Sequence, residues 1–360
     1  SFVLFLMQNS FLLYGANGYT GELIARHAHE YNLQPILAGR NEAALSQLAT
    51  RLNFPYKVID LNDNPALIAA LKEVKVVVHA AGPFQFTAKQ MVEACLQTGT
   101  EYLDINGDVS VFEILKTYDA AAKHEGVMIM PGVGFDVVPT DCIALLLKKL
   151  LPDAINLQLA FAMTGGGLSH GTATTMANHL GDGGVVRKNG KIVRIPLGKK
   201  GMWVDFGIKK LFVMSIPWGD ISTAYFTTGI PDIETYAGVT PKTYRLLKLQ
   251  PLFNWLLRTP FMRNFIKKKI NKRPAGPTDE MRNKAQGLVW GQATNAAGKT
   301  ASARLSGPEG YTLTYHSTLL IVQKVLRGVA APGYQTPAKV FGEDLVLEVP
   351  GVKREIISEG

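Results

Sequence analysis

The chain has 360 residues, 47% of them apolar and 19% charged, which excludes a disordered polypeptide and leaves room for two packed domains. Its formal charge is +9, but ten Lys and Arg and no acid fall between Lys242 and Arg273, leaving 28 basic against 29 acidic residues elsewhere, so charge offers no ground for a nucleic-acid partner. No uninterrupted apolar run reaches the ~18 residues of a spanning helix, and Cys95 and Cys142, far apart and in no metal spacing, read as buried reduced thiols of an intracellular chain.

The first charged residue is Glu22, and no basic leader of the signal-peptide kind precedes it; Met7 reads as the natural start, with residues 1–6 an upstream remnant. In chain order, 11–14 predicts a strand, 22–31 a helix, 35–38 a strand, 42–52 a helix and 56–59 a strand. Asn64-Pro65 reads as an N-cap with proline at the first helical position, opening a helix to residue 73. The run 75–79 is β-branched and lacks polar alternation until its end, as a sheet covered on both faces requires. Helix 88–97, strand 102–104, helix 111–125 and strand 127–130 complete the array. The fold class is α/β, a doubly wound parallel sheet with right-handed crossovers.

The pattern changes after a predicted helix at 140–151. Ile155, Leu157, Leu159, Phe161 and Met163 alternate with polar or small residues, the signature of a half-buried antiparallel strand. Residues 211–216, 221–228, 288–296 and 300–306 predict further strands, with Ala297-Gly298 as a hairpin turn between the last two. Residues 311–327 have helical period and stop at Gly328.

The loop GANGYTG at Gly15–Gly21 follows the first strand directly. Gly15 permits a tight turn and Gly18 a close backbone approach to a pyrophosphate, while Gly21 lets the helix pack on the sheet; Asn17, Tyr19 and Thr20 complete the cradle at the helix N-terminus. No phosphate-gripping lysine of the P-loop kind follows. The spacing G-x-x-G-x-x-G and the tip of the second strand both point to NADP(H). An NAD site commonly places an acid there for the ribose 2′-hydroxyl; here the strand ends LAGRN, and the Arg40 guanidinium suits a 2′-phosphate. Asp60, ending the third strand, is expected beside the adenine, and Ala80, Ala81, Gly82 and Pro83, ending the fourth, beside the nicotinamide ribose.

Hydride transfer needs the protein to orient the acceptor and to supply a proton. Asp104 ends the fifth strand and Asp136 lies in the loop after the sixth, so both are expected to face the nicotinamide; burial would raise the Asp136 pKa enough for a general acid. His170, behind a Ser169 N-cap, titrates in a suitable range for a third candidate. Tyr315 and His316 point about 100° apart on a helix, so at most one could face a pocket. No metal-ligand spacing and no nucleophile triad appears.

The stretches YGANGYTGELIA (14–25), LAGRNEAAL (37–45), PGVGFDVVPTD (131–141) and TPAKVFGEDLVLEV (336–349) resemble the saccharopine dehydrogenase-like oxidoreductases, most of all their trans-acting enoyl reductase branch. Asn17 stands where that family often has threonine, and His170 where Ser-Gly-Gly-Thr is more usual. The resemblance implies a Rossmann-type domain, an inserted mixed α/β domain of mostly antiparallel sheet used for substrate and homodimer contacts, and a C-terminal return onto the first domain. The expected boundaries are 1–135 with 329–360 for the NADP-binding domain and 136–328 for the second. The implied activity is NADPH-dependent reduction of a C=C bond in a small-molecule or carrier-bound acyl substrate. Two other readings stay open: a saccharopine dehydrogenase-like amino-acid or imine oxidoreductase, and a non-catalytic NADP-binding protein at a lipid surface. Against the former, the second domain shows no paired-arginine cluster for a dicarboxylic amino acid.

The basic segment 242–273 is divided by Pro251 and Pro260. In its last piece Phe261, Met262, Phe265, Ile266 and Ile270 are expected on one face, with Arg263, Lys267 and Lys268 opposite. Such a segment suits an anionic membrane surface, an acidic carrier protein, or plain solvent. The expected location is cytoplasmic or peripheral at a membrane.

Overall fold

The computed structural model describes residues 10–358, so the start expected at Met7 and the six residues before it lie outside the described residues. The chain separates into two units: residues up to Asp136 with Tyr311–Val340, and Val137–Gly310 with the segment from Phe341.

The first unit alternates β1 (Ser10–Tyr14), α1 (Tyr19–His27), β2 (Gln34–Gly39), α2 (Glu42–Leu52), β3 (Tyr56–Val58), α3 (Asn64–Leu71), β4 (Val76–His79), α4 (Phe84–Thr98), β5 (Glu101–Asp104), α5 (Val109–Lys116), α6 (Asp119–Glu125) and β6 (Met128–Met130). Every residue of β4, β5 and β6 is buried, as a sheet covered on both faces demands. Helix starts follow side-chain capping: Asn41 accepts from Ala44 N at 3.1 Å for α2. For α3 the cap lies one residue earlier than expected, because Asp63 Oδ1 accepts from Ala66 N at 3.1 Å and Asn64 is already helical. The helix expected over 111–125 is broken into α5 and α6, with Thr117 and Tyr118 at the joint.

The second unit contains α7 (Val138–Leu150), β7 (Ala154–Met163), α8 (His170–Asn178), β8 (Gly184–Lys188), β9 (Lys191–Ile195), β10 (Gly201–Asp205), β11 (Lys210–Ser215), α9 (Asp220–Thr228), β12 (Asp232–Gly238), α10 (Pro241–Leu247), α11 (Asn254–Leu257), α12 (Pro260–Ile270), α13 (Asp279–Lys284), β13 (Gln286–Asn295) and β14 (Thr300–Pro308). The strand expected at 221–228 is the helix α9. Its β-branched residues misdirect the reading, whereas Ile221, Ala224 and Thr228 are buried at helical spacing and Thr140 Oγ1 of α7 donates to Asp220 Oδ2 at 2.8 Å. The strand of that region is β12, parallel to β7.

The chain then enters α14 (Gly310–Leu326), β15 (Gly333–Tyr334), α15 (Pro337–Phe341) and β16 (Lys353–Ser358). The first sheet has seven parallel strands in the order β15-β6-β5-β4-β1-β2-β3. The second has nine, with the path β10-β11-β12-β7-β13-β14-β16 and β8 and β9 attached through β12; it is antiparallel except for β7 and β12.

The expected domain boundaries need two corrections. The return begins at Tyr311, not at residue 329, because α14 packs in the first unit: Tyr315 stacks on His27 at 4.0 Å, His316 Nδ1 meets Tyr31 Oη at 2.7 Å, and Gln323 Nε2 donates to the Tyr31 carbonyl at 2.9 Å. Helical period alone cannot say which sheet a helix covers. The last residues do not stay on the first domain, since β16 pairs antiparallel with β14 and Arg354 donates to the Glu343 carbonyl and to Asp344.

Tyr334 on β15 is fully buried, so Tyr334→Ala should cost about 3–5 kcal/mol of stability by analogy with other buried aromatics. Urea denaturation measures it, and a loss near zero would remove β15 from the first unit's core.

Candidate functional site

The glycine loop is built by close approach. Gly15 has φ +86°, and a Cβ there would lie 2.8 Å from the backbone of Ala80 and Ala81, so the tips of β1 and β4 meet at this residue. A Cβ on Gly21 would lie 2.2 Å from the Gly15 carbonyl oxygen, so α1 rests directly on the loop. Gly15 N and Ala16 N both donate to the Ala38 carbonyl, at 2.8 and 3.2 Å, which adds the tip of β2. Gly18 is the N-cap of α1, and a Cβ there would meet only the Gly15 carbonyl oxygen, at 3.3 Å. The bare backbone and the helix N-terminus therefore suit a pyrophosphate. Tyr19 and Thr20 are half-buried in the first turn.

Asn17 is exposed, and its Oδ1 lies 3.0 Å from where a Gly39 Cβ would stand, at the end of β2. Arg40 follows, exposed, and near enough to Tyr14 to act on its hydroxyl together with Asp60. Burial still dominates there and pushes the Tyr14 phenol up to about 12, and that hydroxyl donates to the Ile59 carbonyl at 3.0 Å. Asp60 Oδ1 accepts from Asn62 N and Nδ2 at 2.8 and 2.9 Å, bracing the turn after β3. Arg40 thus directly follows β2 with an exposed side chain, and the bare glycine backbone at the start of α1 is compatible with a dinucleotide.

The segment 80–83 has a support that the sequence did not disclose. Thr87 Oγ1 donates to the Ala81 carbonyl at 2.9 Å and accepts from His79 Nε2 at 2.9 Å, which sets the Nε2–H tautomer. His79 is fully buried, and burial holds it neutral, pushed down to about 3. Ala80 N donates to the Tyr14 carbonyl at 2.7 Å, so Ala80, Ala81, Gly82 and Pro83 are held from two sides. A histidine ending an apolar strand was the only signal, and its partner lies on α4.

The three candidate catalytic residues have different fates. Asp104 is fully buried; its oxygens accept from Tyr102 Oη at 2.6 Å, Asn106 N at 2.9 Å and Gly132 N at 2.8 Å. Burial pushes its carboxyl up to about 6 against those three donors. It ties the loop after β5 to the loop after β6. Asp136 closes the second of those loops. Its pKa is pushed up to about 7 by burial alone, and a Cβ on Gly107 would lie 2.4 Å from Asp136 Oδ2. The loop before it is clamped by α14: Phe135 N donates to Thr314 Oγ1 at 3.0 Å, and Ser317 Oγ donates to the Val133 carbonyl at 2.7 Å. Thr314 and Ser317 are positioning residues absent from the sequence reading, since their targets lie nearly two hundred residues away.

His170 belongs to the second unit and begins α8, with Ser169 Oγ accepting from Thr172 N at 3.2 Å. Its Nε2 meets the Arg273 carbonyl at 2.6 Å and its backbone N donates to the Ala275 carbonyl at 2.9 Å. It fastens the 273–275 loop of the second unit, whereas Asp104 and Asp136 belong to the first. Tyr315 and His316 are both spent on contacts to α1 and the turn after it. No group of three His, Cys, Asp or Glu able to hold a metal exists among the described residues, and Cys95 and Cys142 are buried free thiols.

Comparison with known proteins gives this geometry a context. Residues 11–130 match the saccharopine dehydrogenase NADP binding domain family. A Caenorhabditis elegans protein named lipid droplet localized protein is 27% identical over 236 residues, 58% of this chain and 55% of that protein. The trans-acting enoyl reductase of Mycobacterium leprae is 31% identical over 138 residues, 36% of this chain and 33% of that protein. The chain thus spans about half or less of the length of these relatives. Among solved structures, apo saccharopine dehydrogenase (L-Glu forming) of Saccharomyces cerevisiae matches with a TM-score of 0.67 at 13% identity, covering 97% of this chain and all of that one, a likeness of fold.

Arg40→Ala should remove a charge-assisted contact of roughly 1.5–3 kcal/mol and weaken NADPH about 10- to 150-fold, with NADH little changed. Fluorescence titration with both dinucleotides measures it; equal curves for the two with the unaltered protein would remove the 2′-phosphate role.

Proposed function

Because residues 11–130 form an NADP-binding domain of the saccharopine dehydrogenase family, we propose that the protein is an NADPH-dependent oxidoreductase that reduces a C=C bond of an apolar acyl or lipid-type substrate. The observation that carries the reading is the placement of Asp136 in the loop beyond the β6 tip of the dinucleotide-binding sheet, clamped by Thr314 and Ser317, where desolvation pushes its carboxyl up to about 7. NADPH, when bound, supplies the hydride. The Gly15–Gly21 loop and the N-terminus of α1 would hold its pyrophosphate, Arg40 its 2′-phosphate, and Ala80–Pro83 would line its nicotinamide side. A C=C bond that accepts hydride at one carbon becomes an enolate-like anion, and Asp136 would deliver the proton to the other carbon, ending as carboxylate. Half-buried and desolvated, that carboxyl keeps its proton to a higher pH than a solvated aspartate.

The apolar substrate class is supported by the enoyl reductase name of the M. leprae relative and by how the second unit uses its buried arginines. Arg187 donates to the Ile221 and Gly190 carbonyls and lies 4.2 Å over the Tyr225 ring. Arg282 is taken by the Pro277 carbonyl and Asp279. Both cations serve the fold, which disfavours a dicarboxylic amino acid as substrate. Apolar substrates concentrate at lipid surfaces, and the C. elegans relative's name supports a peripheral location of that kind; no helix among the described residues is long and apolar enough to cross a membrane.

Asp136 must be protonated to donate, so NADPH oxidation with an enoyl thioester should be level below pH 7 and fall about tenfold per unit above it. Asp136→Asn should lower kcat by about 10²–10⁴ with NADPH affinity unchanged. Turnover of an imine or amino acid with none of an enoyl thioester would replace this substrate class.

A further inference from the structure

The basic segment is arranged differently from the helical-wheel expectation, and the difference is informative. On α12 the side facing the protein carries Ile270, which is buried, and Arg263, whose Nη2 donates to the Leu180 carbonyl at 2.9 Å and to Asp182 Oδ1 at 2.8 Å. Phe261 and Phe265 are exposed on the same helix as the exposed Lys268 and Lys269, and Lys269 Nζ lies 4.7 Å over the Phe265 ring. Aromatic rings and ammonium groups therefore share one outward face instead of opposing each other. The short pieces upstream add Leu246, Leu252 and Trp255, and Leu252, Trp255 and Phe261 are 68%, 73% and 76% exposed.

These side chains stand on an anchored scaffold. Thr240 and Thr259 cap α10 and α12, Tyr244 packs on Phe212 with ring centroids 5.0 Å apart, and Arg258 Nε donates to the Gly181 carbonyl at 2.8 Å. Bulky apolar residues kept in water by a folded support, without an acid between Lys242 and Arg273, form a built surface.

We propose that the second unit docks through residues 241–273 onto an anionic phospholipid surface, with Trp255, Phe261 and Phe265 entering the headgroup boundary and Lys268, Lys269 and Lys272 meeting the lipid phosphates. This extends the peripheral location proposed above, but its test does not use the reductase reaction, so either can fail without the other. Charge complementarity selects the occupant. A second copy would bring an identical cationic face against this one, and like charges repel. A protein partner is disfavoured because protein interfaces are depleted in lysine, whereas lysines laid beside aromatic rings suit a lipid interface, where the stem is buried and the ammonium reaches the headgroups.

The test is flotation with phosphatidylcholine vesicles, with and without phosphatidylserine, at low and high salt. The unaltered protein should float with phosphatidylserine vesicles at low salt and be released at high salt. Changing Lys268, Lys269 and Lys272 together to Glu should weaken partitioning by at least about a hundredfold, since each cation near such a surface contributes about fivefold. Trp255→Ser with Phe261→Ser, both at exposed positions and expected to leave the thermal midpoint in place, should also reduce flotation and remove a blue shift of tryptophan fluorescence. Equal flotation with both vesicle types, no flotation, or a charge variant that floats like the unaltered protein would overturn the proposal. A dimer abolished by the Trp255 and Phe261 changes, without vesicle binding, would give the face to a second copy and overturn it equally.

Discussion

The first unit depends on the contact between the Gly15 carbonyl and the Cα of Gly21. With 2.2 Å between that oxygen and the nearest position a Cβ could take, only glycine lets α1 rest on the end of β1. The same loop touches the backbone of Ala80 and Ala81 and donates to the Ala38 carbonyl, so three strand tips and one helix N-terminus converge on a few atoms. Overpacking such a junction costs about 1–3 kcal/mol, a sizeable part of a typical domain's stability of about 5–15 kcal/mol. The geometric consequence matters more. A helix pushed off the loop carries its amide donors away from the place where phosphates are gripped.

Beyond that junction, two aspartates show how surroundings divide one chemistry into two jobs. Asp104 accepts three hydrogen bonds from fixed donors and serves as a rivet between loops. Asp136, half-buried, meets desolvation without such compensation and keeps its proton to a higher pH. Both folded-state values exceed the ordinary aspartate value, so each group contributes stability that is fully present below about pH 4 and is lost as pH rises through 6 to 7. The loop carrying Asp136 is correspondingly well supported, by Asp104 on one side and by Thr314 and Ser317 of α14 on the other. The C-terminal return is thus part of the machinery that positions the candidate proton donor.

The second unit solves a different problem. Its sheet buries Leu157, Leu159, Leu288, Val289, Ala301 and Ala303 at alternating or adjacent positions of β7, β13 and β14. Its polar interior groups, Asp220, Arg187 and Arg282, are tied into its own backbone and side chains. Against that economy the segment 241–273 stands apart, because it spends Arg258 and Arg263 on its own attachment and leaves large apolar groups outward.

Features decided within one turn or one strand were legible in the sequence. The glycine spacing, Arg40 at the end of β2, the fully buried β4 and the Ser169 cap each express a local steric or hydrogen-bonding rule, and each stands where that rule puts it. What the tertiary structure alone decided are matters of partnership. Whether 221–228 was helix or strand turned on its packing against α7, and whether α14 served the first or the second unit turned on Tyr31 and His27. The roles of Asp104, His79 and His170 turned on donors and acceptors brought from other elements. On α12 the periodicity was read correctly as helical, but the outward face was set by Leu180 and Asp182 capturing Arg263. Local rules fix which conformations a segment can take; only contacts between residues distant in the chain decide which face is buried and which proton is kept.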